Sequence, residues 1–380
     1  MISWHIYTFA AFSLYQYNSR RQLLQALSYV PAAVKSAKKK EDVNMTLYPL
    51  LMAPTFRHGE ETPWGGHMLR DTLMKDAPAG ATGESLEISA LPEHESMVSN
   101  GIHAGKPLSR MIELWGEGLT GKTGGEFPLL LKLLDTMMPL SVQVHPDDAY
   151  AAKNENKSGK SEAWIILNAE PGARIVYGVD TRGEPLEKIV AEGRIEECLR
   201  WKNVQPGDVY YIPEGMVHAV GEGILCYEIG QSTDINYRLW DWGRVFADGK
   251  PRELQVSKAL DVCRPELQLE KNEGTTVLCK GGSRTYYISD SHFELCRLNL
   301  SGKMPLESGR MLFITPMSPC TLRWGDDEMA LDAFDSVLVP AGLEGVSLEG
   351  NTKVLMSSLP DRQRLIDELG YRAENVAGLV

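Results

Sequence analysis

Two stretches of this chain carry side chains able to bind a metal. Leu140-Ser141-Val142-Gln143-Val144-His145-Pro146-Asp147-Asp148 holds Gln143 and His145, and Gly207-Asp208-Val209-Tyr210-Tyr211-Ile212-Pro213-Glu214-Gly215-Met216-Val217-His218 ends in His218. Gly159-Lys160-Ser161-Glu162 lies between them. The histidines are 73 residues apart, so no single helix or loop holds both. Each sits on or beside a β-type run, the arrangement by which a β-barrel brings two imidazoles and a carboxylate to one interior point. Residues two apart on a strand face the same side, so Gln143 and His145 can point inward together. Two His with an acid point to zinc-type chemistry on a small ligand; an amide oxygen is a weaker ligand, and a structural hydrogen bond is the alternative role for Gln143.

Positioning such residues requires strands. Short β-type runs read at Ser85 to Ala90, Trp164 to Leu167, Arg174 to Gly178, Val209 to Ile212 and Ile224 to Ile229. From about residue 275 more follow at Val277-Leu278, Thr285 to Ile288, Phe293 to Leu300, Met311 to Ile314 and Val337 to Val339. Many short strands separated by turns predict a sandwich or barrel. Helical spacing reads at Leu108–Trp115, Tyr150 to Asn156 and Leu186 to Leu199. Phe127 to Leu134 is an apolar run interrupted by Lys132. A lysine there is costly unless its charge is used or reaches solvent.

A repeat links the two halves. Asp208 to His218 resembles Asp335 to Gly345 at a constant offset of 127, each with Asp, an apolar strand and Pro-x-Gly. Gly345 stands where His218 stands, so two related barrels are expected, the first with a metal and the second without. Gly116-Glu117-Gly118-Leu119-Thr120-Gly121-Lys122-Thr123 fits the phosphate-loop pattern. That motif needs a strand before it and a helix after it; here a helix precedes, and a surface loop is the better reading.

The bulk numbers narrow the class. The chain of 380 residues, 43% of them hydrophobic, can bury a core and predicts roughly two to three domains. A net charge of −12 with no basic stripe beyond the N-terminus argues against nucleic acid. No apolar run approaches the roughly 18 residues of a membrane helix. The six cysteines form no Cys-x-x-Cys pair and read as reduced thiols of a cytoplasmic protein. Residues 1–44 carry six Lys or Arg and two acids; they read as an extension, with the functional protein starting at Met45. A catalytic metal-binding domain over 45–255 and a metal-free domain over 256–380 follow from the repeat.

Gly207, Pro213, Gly215 and His218 match a cupin motif throughout, whereas Gln143-x-His145 departs from the usual His-x-His. With Trp64-Gly65-Gly66, Gly83-Glu84-Ser85-Leu86-Glu87-Ile88-Ser89, Phe127-Pro128-Leu129-Leu130-Leu131-Lys132-Leu133-Leu134-Asp135 and Tyr237-Arg238-Leu239-Trp240-Asp241-Trp242-Gly243-Arg244, the chain from about Tyr48 onward resembles the type I phosphomannose isomerases, short bacterial form. The segment before Trp64 and Leu86, where an aromatic is frequent, depart from that pattern. The resemblance implies a mainly β fold of tandem cupin-type barrels, or jelly rolls, with a few helices. It implies interconversion of mannose 6-phosphate and fructose 6-phosphate on one zinc per chain. Carried over, the metal ligands fall on Gln143, His145, Glu162 and His218, and the phosphate contacts on Lys132 and Ser141. Active-site roles fall on Glu228 and Arg238, with Arg238 facing the enediolate; Lys160, two residues from Glu162, and Glu228 are the two candidates for the base. The alternatives are an isomerase of another phosphosugar, a non-catalytic sugar-binding cupin with a structural metal, and an iron-type oxygenase, which would usually lack Gln143. Oligomeric state is not set by these residues.

Overall fold

The computed structural model describes residues 46–123, 127–246 and 249–379; the expected N-terminal extension lies outside them. The first half carries β1 (Leu50–Ala53), β2 (Thr55–His58), β3 (Thr82–Ile88), β4 (Met97–Val98), β5 (Leu129–Thr136), β6 (Val142–Val144) and β7 (Glu162–Ala169). It continues through β8 (Arg174–Val179), β9 (Leu199–Asn203), β10 (Val209–Ile212), β11 (His218–Ala219), β12 (Ile224–Gln231) and β13 (Tyr237–Trp240). The second half carries β14 (Thr275–Cys279), β15 (Gly282–Ser289), β16 (Glu294–Leu300), β17 (Gly302–Pro305) and β18 (Leu312–Pro316). β19 (Cys320–Trp324), β20 (Asp327–Leu331), β21 (Ser336–Val339), β22 (Ser347–Gly350) and β23 (Lys353–Ser358) complete it.

The strands repeat one topology. A six-stranded sheet runs β10-β7-β12-β5-β3-β2, and the second half runs β21-β18-β23-β16-β15-β14 in the same relative chain order. The partner sheets match likewise: β6-β11-β8-β9 against β17-β22-β19-β20. The short Pro-x-Gly repeat therefore belongs to a duplicated double-sheet unit, as expected for a mainly β, cupin-type fold.

The halves interlock. β1 pairs with β21, and β4 pairs with β1, so two N-terminal strands extend the sheet of the second half. A boundary at 255/256 cuts through that sheet. The supposed phosphate loop joins the same region: it follows the helix Leu108–Trp115, forms a helical turn over Glu117–Thr120, and accepts hydrogen bonds from the amides of Ala341 and Gly342 at 2.9 and 2.8 Å. It closes the second Pro-x-Gly turn.

β5 and β12 explain the lysine in the apolar run. Alternate residues point to opposite faces. Leu129, Leu131 and Leu133, with Leu225, Tyr227 and Ile229, pack into a core shared with the second half. Leu134, Ile224 and Cys226 face a second core, between the six- and five-stranded sheets, and Lys132 and Glu228 lie on that same face. Both faces are buried, so these strands read as apolar throughout. Each buried Leu contributes about 1.5–3 kcal/mol.

The single helix expected from Leu186 to Leu199 is instead two: Leu186–Ala191 and Ile195–Cys198. Gly193 between them has φ +70°, in the left-handed region that ends a helix. Leu199 already opens β9.

Candidate metal centre and active site

The metal-type residues converge from both sheets of the first half. β13, β6, β11 and β8 put Arg238, Gln143, His218 and Tyr177 in one cross-strand row. From the opposite sheet, Glu162 opens β7, and Gly230 of β12 is its neighbour. A Cβ on Gly230 would lie 2.8 Å from the Ser161 carbonyl oxygen and 3.0 Å from the Glu162 Cβ; glycine lets the two strands close at the acid.

His145, Glu162 and His218 are all fully buried, with candidate ligand atoms within 4.8 Å of one another. Glu162 Oε2 is 3.5 Å from His145 Nε2, and its Oε1 is 3.4 Å from His218 Nε2. The Gln143 amide lies 3.4 Å from His218 Nε2 and can turn over to present its oxygen. Among the described residues, both His145 ring nitrogens and both Glu162 oxygens lack a hydrogen bond of acceptable geometry. Buried polar atoms are rarely left so. The His145 and His218 imidazoles, the Glu162 carboxylate and the Gln143 amide converge on one point, with His145 and Glu162 lacking hydrogen bonds there, and this donor set fits a divalent metal with N and O ligands. The His218 Nδ1–H donates to the Met216 carbonyl at 2.8 Å, which leaves Nε2 free to coordinate. Gly215 sets this turn: at φ +82° its N–H reaches the His145 carbonyl at 2.9 Å.

Electrostatics favour the ligand forms. Burial, then the Lys160 charge, lowers His145 to about 3. Burial likewise lowers His218. Burial alone would raise Glu162, but Lys160 and the two imidazoles bring it well below the usual carboxylate range. The imidazoles are thus neutral and the acid ionised, as a metal requires.

Above this point lies a cleft of about 320 Å³ lined by Lys132, Ser141, Gln143, Lys160, Glu228 and Arg238. Every remaining sequence-predicted site residue is therefore in it. Lys160 Nζ is 2.7 Å from Glu162 Oε2 and 3.7 Å from Glu228 Oε1. Glu228 also takes Lys132 Nζ at 2.6 Å and the Trp164 indole N–H at 3.1 Å. Lys132 is buried; burial would lower it, but Glu228 and Glu84 raise it above its ordinary value. Its charge is already met inside the cleft. Arg238 has no carboxylate within 4 Å among the described residues; Asp241 pairs instead with Arg244 at 3.3 Å. Burial first, and Arg252 second, lower Arg238.

Sequence reasoning did not assign Arg57, Glu84, Asn236 or Arg252, which also line the cleft. Glu84 sits in a quoted motif, and Arg57 meets it at 3.2 Å; Arg252 had no local signal. Tyr237, Trp240 and Trp242 do not line the cleft but pack in a side core. Trp242 Nε1 donates to the Leu140 carbonyl at 2.7 Å, steadying the loop that carries Ser141.

Residues 56–171 match the family model for the catalytic domain of type I phosphomannose isomerase. The chain is 36% identical to the Bacillus subtilis mannose-6-phosphate isomerase ManA over 323 residues, 83% of this chain and all of that protein. It is 33% identical to the mannose-6-phosphate isomerase of Streptococcus mutans, covering 77% of this chain and 94% of that one. The crystal structure of the mannose 6-phosphate isomerase from Bacillus subtilis superimposes with a TM-score of 0.76 at 32% identity, over 81% of this chain and 99% of that one. The buried His–Glu–His group, the cleft above it and the duplicated sheets are thus those of a member of the type I phosphomannose isomerase family, to which this chain belongs.

Proposed function

We propose that this protein interconverts mannose 6-phosphate and fructose 6-phosphate. The single observation that carries the reading is the cluster of Lys160, Glu228 and Arg238 in the cleft beside the buried His145, Glu162 and His218. A binding-only cupin has no need of that constellation.

Gln143, His145, Glu162 and His218 would hold the metal, and their N and O donors support zinc. Bound there, zinc supplies Lewis-acid polarisation of the sugar's carbonyl and hydroxyl oxygens. The chain's own groups do the rest. We assign proton transfer between C1 and C2 to Lys160 and Glu228, whose nearest polar atoms lie 3.7 Å apart. One takes the proton from the first carbon, and that proton or its exchanged equivalent returns to the second. Arg238, without a carboxylate of its own, faces the negative charge that develops on the enediolate oxygens. Trp164 and Lys132 fix the Glu228 carboxylate by the contacts given above. Ser141 and Lys132 are assigned to the phosphate end, with Arg252 as a further cation on the rim. Six free thiols support a cytoplasmic setting.

The test is a coupled assay of purified protein with mannose 6-phosphate, following fructose 6-phosphate with and without a chelator. Turnover that the chelator abolishes and added zinc restores is expected. Folded, zinc-loaded protein without turnover would overturn the assignment.

A further inference from the structure

The second half carries no metal group of its own among the described residues, yet one of its turns reaches the metal-bearing loops of the first. The turn between β15 and β16 presents Asp290, 4% exposed, to Ser161, which is fully buried. Asp290 Oδ1 accepts the backbone N–H groups of His292 and Phe293 at 2.7 and 2.8 Å, which fixes the turn. Its Oδ2 accepts the Ser161 hydroxyl at 2.5 Å and the Tyr211 hydroxyl at 3.1 Å. Gly378 packs behind it: a Cβ there would lie 2.8 Å from the Asp290 Cβ.

Ser161 sits between Lys160 and Glu162. In extended chain, neighbours point to opposite sides, so anchoring Ser161 outward sets Lys160 and Glu162 inward. Their contact with each other, 2.7 Å between Nζ and Oε2, depends on that register. The same turn touches the other two ligand loops. His292 Nε2 is 3.2 Å from Glu214, in the Pro213-Glu214-Gly215 turn before His218. Its Nδ1 is 3.9 Å from Asp148, which follows His145-Pro146 and whose Oδ1 takes the Gly159 N–H at 2.8 Å. One turn of the metal-free half thus contacts all three segments that hold the metal-type residues.

We propose that Asp290 is a positioning residue: through Ser161 it sets the coordination geometry of Glu162 and the reach of Lys160 across the interface between halves. The catalytic part of this rests on the isomerase reading above; the metal-binding part does not. Ligand-supporting partners of this kind typically matter by 10–100-fold in metal affinity or activity.

Four full-length variants test it: Asp290→Ala, Asp290→Asn, Ser161→Ala and the double Ser161→Ala/Asp290→Ala. Each is assayed by zinc affinity in chelator competition, by kcat and KM for mannose 6-phosphate, and by thermal melting. Asp290→Ala and Ser161→Ala are expected to weaken zinc about tenfold or more and to lower kcat while KM stays within about twofold. The double variant should be no worse than Asp290→Ala alone, because the Ser161 hydroxyl acts through its contact with Asp290. Asp290→Asn should recover most of the loss, since its oxygen can accept the turn amides while its NH2 donates to Ser161. Wild-type zinc affinity and kcat in a folded Asp290→Ala variant would overturn the proposal. So would strictly additive losses, or a lowered melting temperature with the zinc-loaded protein otherwise normal. Should Asp290→Ala not fold, Ser161→Ala, which deletes one oxygen, decides by the same readouts. Zinc affinity separates this proposal from the reaction assignment: changed affinity in an inactive wild-type background would sink only the latter.

Discussion

Glu162 is the residue on which the site turns. Among the described residues it is the one carboxylate within 4 Å of both buried imidazoles, with 3.4 and 3.5 Å contacts, and it balances Lys160. Glu162→Ala removes a proposed metal ligand and leaves a buried ammonium short of its nearest counter-charge, a change of the kind that costs roughly 3–5 kcal/mol. Metal content and turnover should fall together; an active variant with metal retained would remove Glu162 from the ligand set. Arg238 is separable from this. It neighbours Gln143 across strands but lies outside the His145–Glu162–His218 group, so Arg238→Ala should keep its metal while kcat falls roughly 10²–10³-fold, the usual effect of losing one donor to a developing oxyanion. Metal analysis beside steady-state kinetics checks both halves, and unchanged kcat would take Arg238 out of the mechanism. At this scale the sequence was most legible where motifs agreed, as at His145 and His218, which meet Glu162 in one buried group. It was least legible for Arg57 and Arg252, which reach the cleft from β2 and from the segment after β13 with no local pattern.

Strands β7 and β12 meet at the metal site through a glycine, which makes their spacing testable. In Gly230→Ala the new methyl meets the Ser161 carbonyl and the Glu162 Cβ. Such overpacking typically costs about 1–3 kcal/mol, and here the displaced strand carries Glu162, a proposed ligand. A lowered melting temperature with weaker zinc retention is the expected result. Normal values for both would mean that β7 can shift without cost. The helix Leu108–Trp115 begins and ends where its spacing predicts, whereas the helices Val256–Val262 and Arg362–Leu369 went unread. The helix expected across Gly193 fails because one left-handed residue outweighs a continuous apolar period.

The whole molecule is held together across its halves. β1 pairs with β21, Ser336 Oγ donates to buried Glu87 at 2.6 Å, and the hydroxyls of Tyr227 and Ser357 meet at 3.0 Å. The largest core draws side chains from both halves. A chain ending at residue 255 would expose that core and strip β1 of β21. It is expected to be insoluble or loosely packed and to hold no zinc, as read by soluble yield, near-ultraviolet circular dichroism and metal content. A folded, zinc-binding fragment would show that the first half stands alone.

By itself the sequence determined the candidate ligand types and their strand spacing, the Pro-x-Gly repeat in which Gly345 stands in place of His218, and the family. These are local properties, written by period and residue chemistry over a few positions. Only the tertiary structure decided that Lys132 is already paired with Glu228, that β1 belongs to the second half's sheet, and that Asp290 meets Ser161 from 129 residues away. Those contacts join segments far apart in the chain. Which of many possible partners meet is set by how the duplicated sheets pack, and no local pattern records that.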